Sequence, residues 1–529
     1  MSSLVYRNLT ESEAFTRLIA TQPYHVTSIN ADRVEKFDIP AGGELHYNYA
    51  AKAVDDRVLM ALTELAAEQQ CIGKYRAILE GEVMNTGEER MVLHHLTRGQ
   101  LGGTVKAGSR DIGAFYAEQQ KRIADFAGDV RSGKKKGSTG KPFKSVVQIG
   151  IGGSDLGPRA MYLALANYAA TTGIDPILDA HFISNVDPDD ASEVLSHIDP
   201  ETTLFILVSK SGTTQETLTN RAFVAEHMKK SGISGLNPDA HMIAVTSETS
   251  PLAKETDMLD AFFIDDFIGG RYSSTSAVGG VVLSLAFGPE VFSRFLSGAH
   301  EADRLSLEEE VGRNAALTDA LIGVWERNVL GYPSTAVLPY SQALHRFPAH
   351  LQQLDMESNG KSVNRAGKPI DYPTGPLVFG EPGTNGQHSF YQLLHQGTDI
   401  IPLQFVGFLD SQRADDVKYE GSYSQVKLNA NLAAQIVAFA RGQKDQDPNK
   451  SFAGNRPSSL IYGPRLSPES LGALLSHFEN KVIFQGLIWN INSFDQEGVQ
   501  LGKVLTKTIL GGTDDPLLRA YGALLGVNG

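Results

Sequence analysis

The sequence predicts an α/β protein with two domains, each built on a parallel β-sheet that helices cover on both faces. Short, uninterrupted apolar runs alternate with segments of helical periodicity, and this alternation is typical of strands buried inside a parallel sheet. The pattern occurs in the first half of the chain and again in the second half. The length of 529 residues also exceeds what one compact core usually contains, which favours two domains.

The first part of the chain is predicted to be helical. Between Val58 and Ala66, apolar residues recur three and four positions apart, which is the spacing of one helix face. The pattern returns from Tyr116 to Val130 and stops near Gly133. The run Lys134–Pro142, rich in lysine and glycine, then predicts a solvated loop and a boundary between segments.

Strands and helices alternate beyond this loop. The expected strands are Val146–Ile151, His181–Val186, Thr203–Val208, Met242–Val245, Thr335–Leu338, Leu377–Phe379, Ile400–Val406 and Leu460–Tyr462. Asp155–Ala169 and Leu471–Trp489 are expected to be helices, and the apolar run Val278–Gly288 is too short to span a membrane, so it predicts a buried core segment. Ligands of such sheets bind beyond the carboxyl ends of the strands, and a cleft between the two domains is the expected binding site.

Composition and charge exclude several classes of protein. The chain has 47 Lys and Arg against 61 Asp and Glu, a net charge of −14, and this acidic balance argues against a nucleic-acid partner. Cys71 is the single cysteine, so no intrachain disulfide or thiolate metal cluster can form. The first residues lack a signal peptide's apolar stretch. We therefore expect a cytoplasmic protein with no membrane partner.

Two glycine-containing loops follow predicted strands. In Gly150–Gly157, the third glycine of a dinucleotide-binding fingerprint would fall on Asp155, so the loop suits a small anion or a sugar hydroxyl, or is only a tight turn. In Ser209–Thr217, four hydroxyls and one ammonium group fall within the first six residues, at the start of a predicted helix. This favours a phosphate-monoester site over an ordinary helix cap, because a cap needs only one hydroxyl.

The segment around Gly360 contains acids and a false nucleotide motif. Asn359-Gly360-Lys361-Ser362 is not a Walker A loop, because Asp355 stands where the earlier glycine is required. Just upstream, Asp355-Met356-Glu357-Ser358 predicts a short polar loop. Glu357 is either a general base or a solvated loop acid, and its position alone favours the second.

Isolated polar residues complete the candidates. His388, within Gly380–Phe390, is expected in the first helical turn after the glycines of that segment, where it could transfer protons or be structural. Arg271 follows two glycines and could meet an anion or form a salt bridge. Gln496 and Lys503 are two helical turns apart and would share a face if one helix contained both. The remaining histidines have no metal-site spacing, so no metal is expected.

Taken together, these motifs resemble the glucose-6-phosphate isomerase (phosphoglucose isomerase) family. The matching segments, in the family's order, are Asn85–His95, Gly150–Pro158, Ser209–Thr217, Gly269–Ser273, Gln353–Lys361, Gly383–Gly397 and Asn492–Lys503. The resemblance covers nearly the whole chain. It implies two sugar-isomerase (SIS) parallel-sheet α/β domains, wrapped by helical N- and C-terminal segments into a homodimer. The implied boundaries are an N-terminal helical segment 1–115 on the large domain, a small domain 116–280, a large domain 281–510 and a tail 511–529.

The resemblance also implies a reaction and its residues. The reaction is the isomerisation of glucose 6-phosphate and fructose 6-phosphate through a cis-enediolate, in glycolysis and gluconeogenesis, without metal or nucleotide. Glu357 matches the proton-transferring base and Arg271 the arginine beside the enediolate. His388 and Lys503 match the ring-opening groups, with His388 entering from the partner subunit. The implied substrate-binding residues are Gly153, Ser154, Ser209, Lys210, Ser211, Gly212, Thr213, Thr214, Gln353 and Gln496.

Two departures from the family pattern and two rival functions remain. Ser211-Gly212 stands where many members have Thr-Phe, and Glu497 stands where many have tryptophan. A catalytically silent phosphosugar sensor is one rival, which the presence of Glu357, His388 and Lys503 argues against. A nucleotide-dependent sugar enzyme is the other, which the failed dinucleotide and Walker patterns argue against.

Overall fold

The structure, a computed structural model, describes residues 4–527 and contains two main β-sheets. The strands, in chain order, are β1 (Asp38–Gly42), β2 (Leu45–Asn48), β3 (Val83–Asn85), β4 (Arg90–Met91), β5 (Lys106–Ala107), β6 (Arg110–Asp111), β7 (Ser145–Ile149), β8 (Asp179–Ile183), β9 (Thr203–Val208), β10 (Met242–Ser247), β11 (Asp260–Ile264), β12 (Ser334–Pro339), β13 (Leu377–Phe379), β14 (Leu403–Asp410), β15 (Lys418–Tyr419), β16 (Ser422–Tyr423) and β17 (Ser458–Arg465).

Helices cover both sheets and form most of the remaining chain. The α-helices are α1 (Glu13–Ile19), α2 (Ala31–Lys36), α3 (Asp56–Glu68), α4 (Cys71–Leu79), α5 (Ile112–Arg131), α6 (Leu156–Ala169), α7 (Pro188–Ser196), α8 (Gln215–Lys230), α9 (Ala277–Phe287), α10 (Pro289–Leu305), α11 (Ala315–Val324), α12 (Phe347–Leu351), α13 (Tyr391–Gln396), α14 (Ser424–Arg441), α15 (Pro468–Ile488), α16 (Gln500–Leu510) and α17 (Pro516–Leu524).

The first sheet has five strands in the order β11-β10-β9-β7-β8, all parallel. Every residue of β9 is buried, as expected for a strand covered on both faces. Because β7 and β9 are neighbours, the loops that follow them emerge side by side at the same edge. This edge is where ligands of open parallel sheets bind.

The second sheet has six strands in the order β1-β2-β17-β14-β12-β13. Its last four strands are parallel. Strand β2 pairs antiparallel with β17 on one side and with β1 on the other. The N-terminal segment, expected to be helical, thus also supplies two strands to this sheet. It is held there by buried ion pairs, with Lys52 Nζ 3.0 Å from Glu326 and Arg98 Nη1 3.0 Å from Asp303.

The core includes two helices buried on nearly every face. All residues of α9 are buried, which confirms the core segment predicted at Val278–Gly288. In α15 every residue except Glu469 is buried. Gly298 of α10 and Gly472 of α15 let these two helices meet backbone to backbone, because a Cβ at Gly472 would lie 1.9 Å from the carbonyl oxygen of Phe295.

The expected α/β fold with two parallel-sheet units is confirmed, and each predicted strand overlaps an observed one. The domain boundaries stay a prediction. No helix between residues 4 and 527 is long and apolar enough to cross a membrane.

Candidate active site

The loops after β7 and β9 form one side of the site. Residues Gly152–Ser154 make a 3-10 turn directly after β7. A Cβ on Gly153 would lie 2.1 Å from the carbonyl carbon of Gly270, so this position requires glycine where the turn packs on the backbone beside Arg271. The carbonyl oxygen of Ser154 accepts a hydrogen bond from Gln148 Nε2 at 2.7 Å, which fixes the end of the turn.

The loop after β9 gathers hydroxyl groups at the start of α8. Ser209 Oγ lies 2.8 Å from Thr214 Oγ1, and Ser211 Oγ accepts hydrogen bonds from the amide and the hydroxyl of Thr213 at 3.2 and 2.9 Å. Thr214 precedes α8 but its side chain does not cap the first turn. Gly212 has a φ of +67°, which favours glycine at this bend.

Lys210 adds a positive charge to this hydroxyl-rich loop. Its Nζ is partly exposed and lies 3.5 Å from Asp266 Oδ1, a weak contact that leaves the ammonium group accessible. The positive end of the α8 dipole points at the same loop. The arrangement suits a small, doubly charged anion.

Arg271 is the most highly connected residue of the site. It is 1% exposed and lies in a 3-10 turn that its two preceding glycines introduce. Its Nε donates to Ser358 Oγ at 2.6 Å, and its Nη2 donates to the carbonyl oxygens of Ser493 and Asp495 at 2.7 and 2.9 Å. Its Nη1 donates to Glu357 Oε1 at 2.9 Å.

These contacts use four of the five N–H groups of the guanidinium. Within residues 4–527, the remaining N–H is on Nη1, the nitrogen that contacts Glu357. The arginine can therefore hold the carboxylate and still donate one hydrogen bond beside it.

Glu357 lies in a π-helical turn, Gln352–Glu357, that continues α12. The prediction of a short polar loop here is wrong, because the buried Leu351 and Leu354 anchor the segment as helix. Turns of this kind are frequent at functional sites. The Glu357 side chain is 21% exposed, so one face can meet a ligand while Arg271 covers another.

Gln353, in the same turn, faces the loop after β7. Its Nε2 would lie 3.3 Å from a Cβ placed on Gly152, which brings the two sheets' loops together. Its Oε1 is buried and has no hydrogen-bond partner among the described residues. A buried, unpartnered amide oxygen is an acceptor that a ligand hydroxyl would satisfy.

Burial shifts the pKa of two groups on the turns that contain Arg271 and Glu357. It raises the pKa of the Tyr272 hydroxyl to about 12. It also raises the pKa of Asp355 to about 6, so this carboxyl gains its proton as the pH falls through that value. The phenol of Tyr272 therefore keeps its proton throughout the neutral range.

The C-terminal segment crosses the site at Ser493–Asp495. Lys361 Nζ contacts Asp495 Oδ1 at 2.5 Å and its carbonyl oxygen at 3.0 Å, so this lysine anchors the segment instead of serving a nucleotide loop. The exposed Gln496 follows directly. One helix does not contain both Gln496 and Lys503, so the condition for a shared face is not met: α16 begins only at Gln500 and contains the exposed Lys503 alone.

His388 stands apart from this cluster. It lies in a separate 3-10 turn, Asn385–His388, before α13, and not in the first turn of that helix. Its side chain is exposed and makes no hydrogen bond within residues 4–527. The structure thus brings Arg271, Glu357, Gln353 and Gly153 together, with the loop after β9 on the next strand.

Sequence reasoning missed the residues that hold Arg271. Ser358, Ser493 and Asp495 all bind its guanidinium, and Tyr272 contacts Ser358. Ser358 and Tyr272 each lie directly beside a predicted site residue, which is the one signal that could have marked them. The two carbonyl contacts carry no side-chain signal.

Comparisons with known proteins agree with this fold and show the family. A family model described as Phosphoglucose isomerase matches residues 48–517. The chain is 58% identical to the glucose-6-phosphate isomerase of Treponema denticola, over 98% of this chain and 99% of that protein. It is 47% identical to that of Borreliella burgdorferi, over 96% of each.

Among solved structures, a glucose-6-phosphate isomerase from Chlamydia trachomatis superimposes with a TM-score of 0.91 and 43% identity, over 98% of this chain and 100% of that one. A hypothetical protein from Thermus thermophilus gives a TM-score of 0.63 and 26% identity, over 87% of this chain and 99% of that one. Fold, family model and relatives therefore define an aldose–ketose isomerase built on two parallel-sheet units. The chain belongs to the phosphoglucose isomerase family.

Proposed function

We propose that this chain interconverts glucose 6-phosphate and fructose 6-phosphate, with Glu357 as the proton-transferring base. The observation that supports this assignment best is the 2.9 Å contact between a buried arginine and a partly buried glutamate where the loops of the two sheets meet. Arginine remains cationic, so Arg271 places a fixed positive charge directly beside the carboxylate that is proposed to accept the proton.

The proposed reaction uses Glu357 twice. Its carboxylate removes the proton from C2 of the open-chain aldose, and the C2 electron pair moves to form the C1–C2 double bond while the C1 carbonyl oxygen becomes negative. The remaining N–H of Arg271 Nη1 faces this developing charge. The C2 hydroxyl then passes its proton to the negative C1 oxygen, and the protonated Glu357 returns its proton to C1 as the C2 oxygen becomes the ketone carbonyl. Oxidation at C2 therefore balances reduction at C1 without a cofactor.

The substrate phosphate is proposed to bind at the loop after β9. The hydroxyls of Ser209, Ser211, Thr213 and Thr214 and the ammonium of Lys210 supply donors around the bend at Gly212. A phosphate held there contributes binding energy remote from the reacting carbons, which helps to hold C1 and C2 against Glu357.

The sugar is proposed to lie between the turn after β7 and the π-helical turn. The unpartnered Gln353 Oε1 is an acceptor for a sugar hydroxyl. Gly153 and Ser154 supply backbone groups on the opposite side, and Gln496 closes the site from the C-terminal segment. Glu497 places an extra acid next to Gln496, in an exposed position.

Ring opening is proposed to use Lys503 and the His388 of a partner subunit in a homodimer. The lack of any hydrogen bond from the exposed His388 within residues 4–527 supports a partner contact. Exposed apolar side chains on α14, α16 and α17 support a subunit interface: Val426, Val437, Val504, Leu510, Leu517 and Leu524.

The remaining assignments are also part of this proposal. Residues 1–115 are a segment on the large domain, 116–280 the small domain, 281–510 the large domain and 511–529 a tail. A cytoplasmic location is supported by Cys71, the single cysteine, which is buried and free. A thiol of this kind is typical of reducing compartments.

A coupled assay tests the function. Purified protein, treated with EDTA and freed of nucleotide, is given fructose 6-phosphate, and the reaction is stopped with acid. The glucose 6-phosphate formed is then measured after neutralisation with a dehydrogenase and its nicotinamide cofactor. We expect rapid conversion. Binding of both phosphosugars without interconversion would favour the sensor, and a rate that requires added nucleotide would favour the nucleotide-dependent enzyme.

A further inference from the structure

Tyr272 lies beside the Arg271–Glu357 pair but has no part in the proposed proton transfer. It is 1% exposed, and its ring packs between His94 and Phe494, with centroid distances of 4.9 and 5.9 Å. This packing fixes the position of its hydroxyl, which lies 2.9 Å from Ser358 Oγ.

Ser358 connects this hydroxyl to the guanidinium. Its Oγ accepts a hydrogen bond from Arg271 Nε at 2.6 Å, so three groups form a continuous chain from the phenol through the serine hydroxyl to the arginine. Ser358 is fully buried, which makes the loss of a partner costly.

This series of hydrogen bonds ends at Arg271 Nε, which helps to fix the plane of the guanidinium. The Nη2 edge is bound to two carbonyl oxygens of the C-terminal segment, and the Nε bond is the second point that stops rotation about the Cδ–Nε axis. When the Nη2 and Nε hydrogen bonds are both present, Nη1 points at Glu357 and the orientation of its free N–H is fixed. Without the Nε bond, that direction is set by the Nη2 edge and by Glu357 itself.

We propose that Tyr272 is a positioning residue for the isomerisation, acting through Ser358 to fix the guanidinium plane of Arg271. The inference rests on the proposed roles of Arg271 and Glu357. The free N–H of Nη1 meets negative charge only after the C2 proton has left. Misalignment therefore weakens the transition state and leaves the bound substrate, which the phosphate holds, nearly unaffected.

The test compares Tyr272→Phe with Tyr75→Phe. Both changes remove one hydroxyl from a ring that is 1% exposed, and the Tyr75 hydroxyl donates to Asn480 Oδ1 at 3.0 Å, away from Arg271. We expect Tyr272→Phe to lower kcat about tenfold with KM nearly unchanged, since small misplacements of catalytic groups cost up to about 100-fold. Tyr75→Phe should leave kcat at the wild-type value.

A second readout measures charge stabilisation directly. A five-carbon sugar-acid phosphate, whose planar carboxylate imitates the enediolate, should bind Tyr272→Phe about tenfold more weakly, whereas inorganic phosphate should bind equally well. An unchanged kcat, an unchanged affinity for this inhibitor, or an equal loss in Tyr75→Phe would overturn the proposal.

A double-mutant cycle separates this inference from the proposed function. If Tyr272 acts through Arg271, adding Tyr272→Phe to Arg271→Lys causes no further loss of kcat. Losses that multiply would show that Tyr272 acts by another route, while Arg271 keeps its role. Normal kcat in Arg271→Lys would instead remove Arg271 from the mechanism. Thermal unfolding of each variant identifies any that fails to fold. In that case Ser358→Ala interrupts the same series of hydrogen bonds at its middle residue and should lower kcat in the same way.

Discussion

At the scale of single residues, Arg271 organises the site. One buried guanidinium holds the base, a serine hydroxyl and two carbonyl oxygens of the C-terminal segment. A buried charge is stable only when it is paired and hydrogen-bonded, so these contacts are as much a structural requirement as a catalytic one. The same residue therefore couples the correct folding of three segments to the geometry around Glu357.

Lys210 gives the first prediction at this scale. Lys210→Ala should raise the KM for glucose 6-phosphate about tenfold or more, because a hydrogen bond to a charged group contributes about 1.5–3 kcal/mol. Competitive inhibition by inorganic phosphate should weaken by a similar factor. Both are measured by steady-state kinetics.

The matched control is Lys136→Ala, in the exposed loop before β7. It removes the same charge from the protein and should change neither the KM for glucose 6-phosphate nor the inhibition by inorganic phosphate. Normal binding of substrate and phosphate by Lys210→Ala would mean that the loop after β9 is only a helix start.

At the scale of elements, the regular parts of the chain were predictable and the irregular ones were not. Strand β9 is a continuous apolar run and was predicted to its end residues. Strand β1 contains Pro40 and Gly42, which disfavour strands, and it forms only because it lies at a sheet edge next to β2. Strand β11, which was not among the predicted strands, has only five residues and also lies at a sheet edge.

The candidate site shows the same division. Glycine loops and hydroxyl clusters have sequence patterns, so the loops after β7 and β9 could be predicted with their residues. The π-helical turn that contains Glu357 could not, because an extra residue per turn leaves no periodic signal. The contacts of Arg271 with carbonyl oxygens depend on tertiary structure alone.

The packing of α10 on α15 gives a prediction for an element. Gly472→Ala would place a methyl group 1.9 Å from the carbonyl oxygen of Phe295, so the helices must separate. We expect the free energy of unfolding to fall by about 1–3 kcal/mol, as for overpacked cores. Gly128→Ala in α5 meets nothing within 4 Å and should instead stabilise by about 0.5–1 kcal/mol. Denaturant unfolding measures the free energy of unfolding of both variants. The same change in the two variants would contradict this packing.

At the scale of the whole molecule, buried histidines link stability to pH. Burial lowers the pKa of His350 to about 4 from an ordinary value of 6.5. Between these values the unfolded chain binds a proton that the folded chain does not, so this group's contribution to stability is present above pH 6.5 and is lost as the pH falls towards 4. His350→Gln should therefore reduce the acid-side loss in the free energy of unfolding, by up to about 3 kcal/mol.

Unfolding at pH 7 and at pH 4.5 measures this loss in wild type and variant. His197→Gln changes an exposed histidine. It should leave the difference in the free energy of unfolding between pH 7 and pH 4.5 as it is in wild type. An unaltered difference in His350→Gln would show that this ring is not held neutral.

The proposed homodimer predicts complementation between two inactive proteins. Glu357→Gln and His388→Ala are dissociated and reassembled together, so that about half of the dimers are mixed if pairing is random. If His388 serves the partner's site, one site of each mixed dimer is intact, and activity should return to about a quarter of wild type. A mixture that stays inactive, with mixed dimers confirmed by mass, would refute the shared site but not the isomerase assignment.

The central claim is that one carboxylate, Glu357, moves a proton between C2 and C1, and label transfer tests it most directly. Wild type and Glu357→Gln are given glucose 6-phosphate with deuterium at C2, and the label at C1 of fructose 6-phosphate is followed by mass spectrometry. Wild type should deliver part of the label to C1 and lose the rest to water, because the Glu357 side chain is partly exposed. Glu357→Gln should slow transfer and washout together by about 10²–10⁴-fold, with phosphate binding unchanged. Transfer to C1 by Glu357→Gln at close to the wild-type rate would contradict the account.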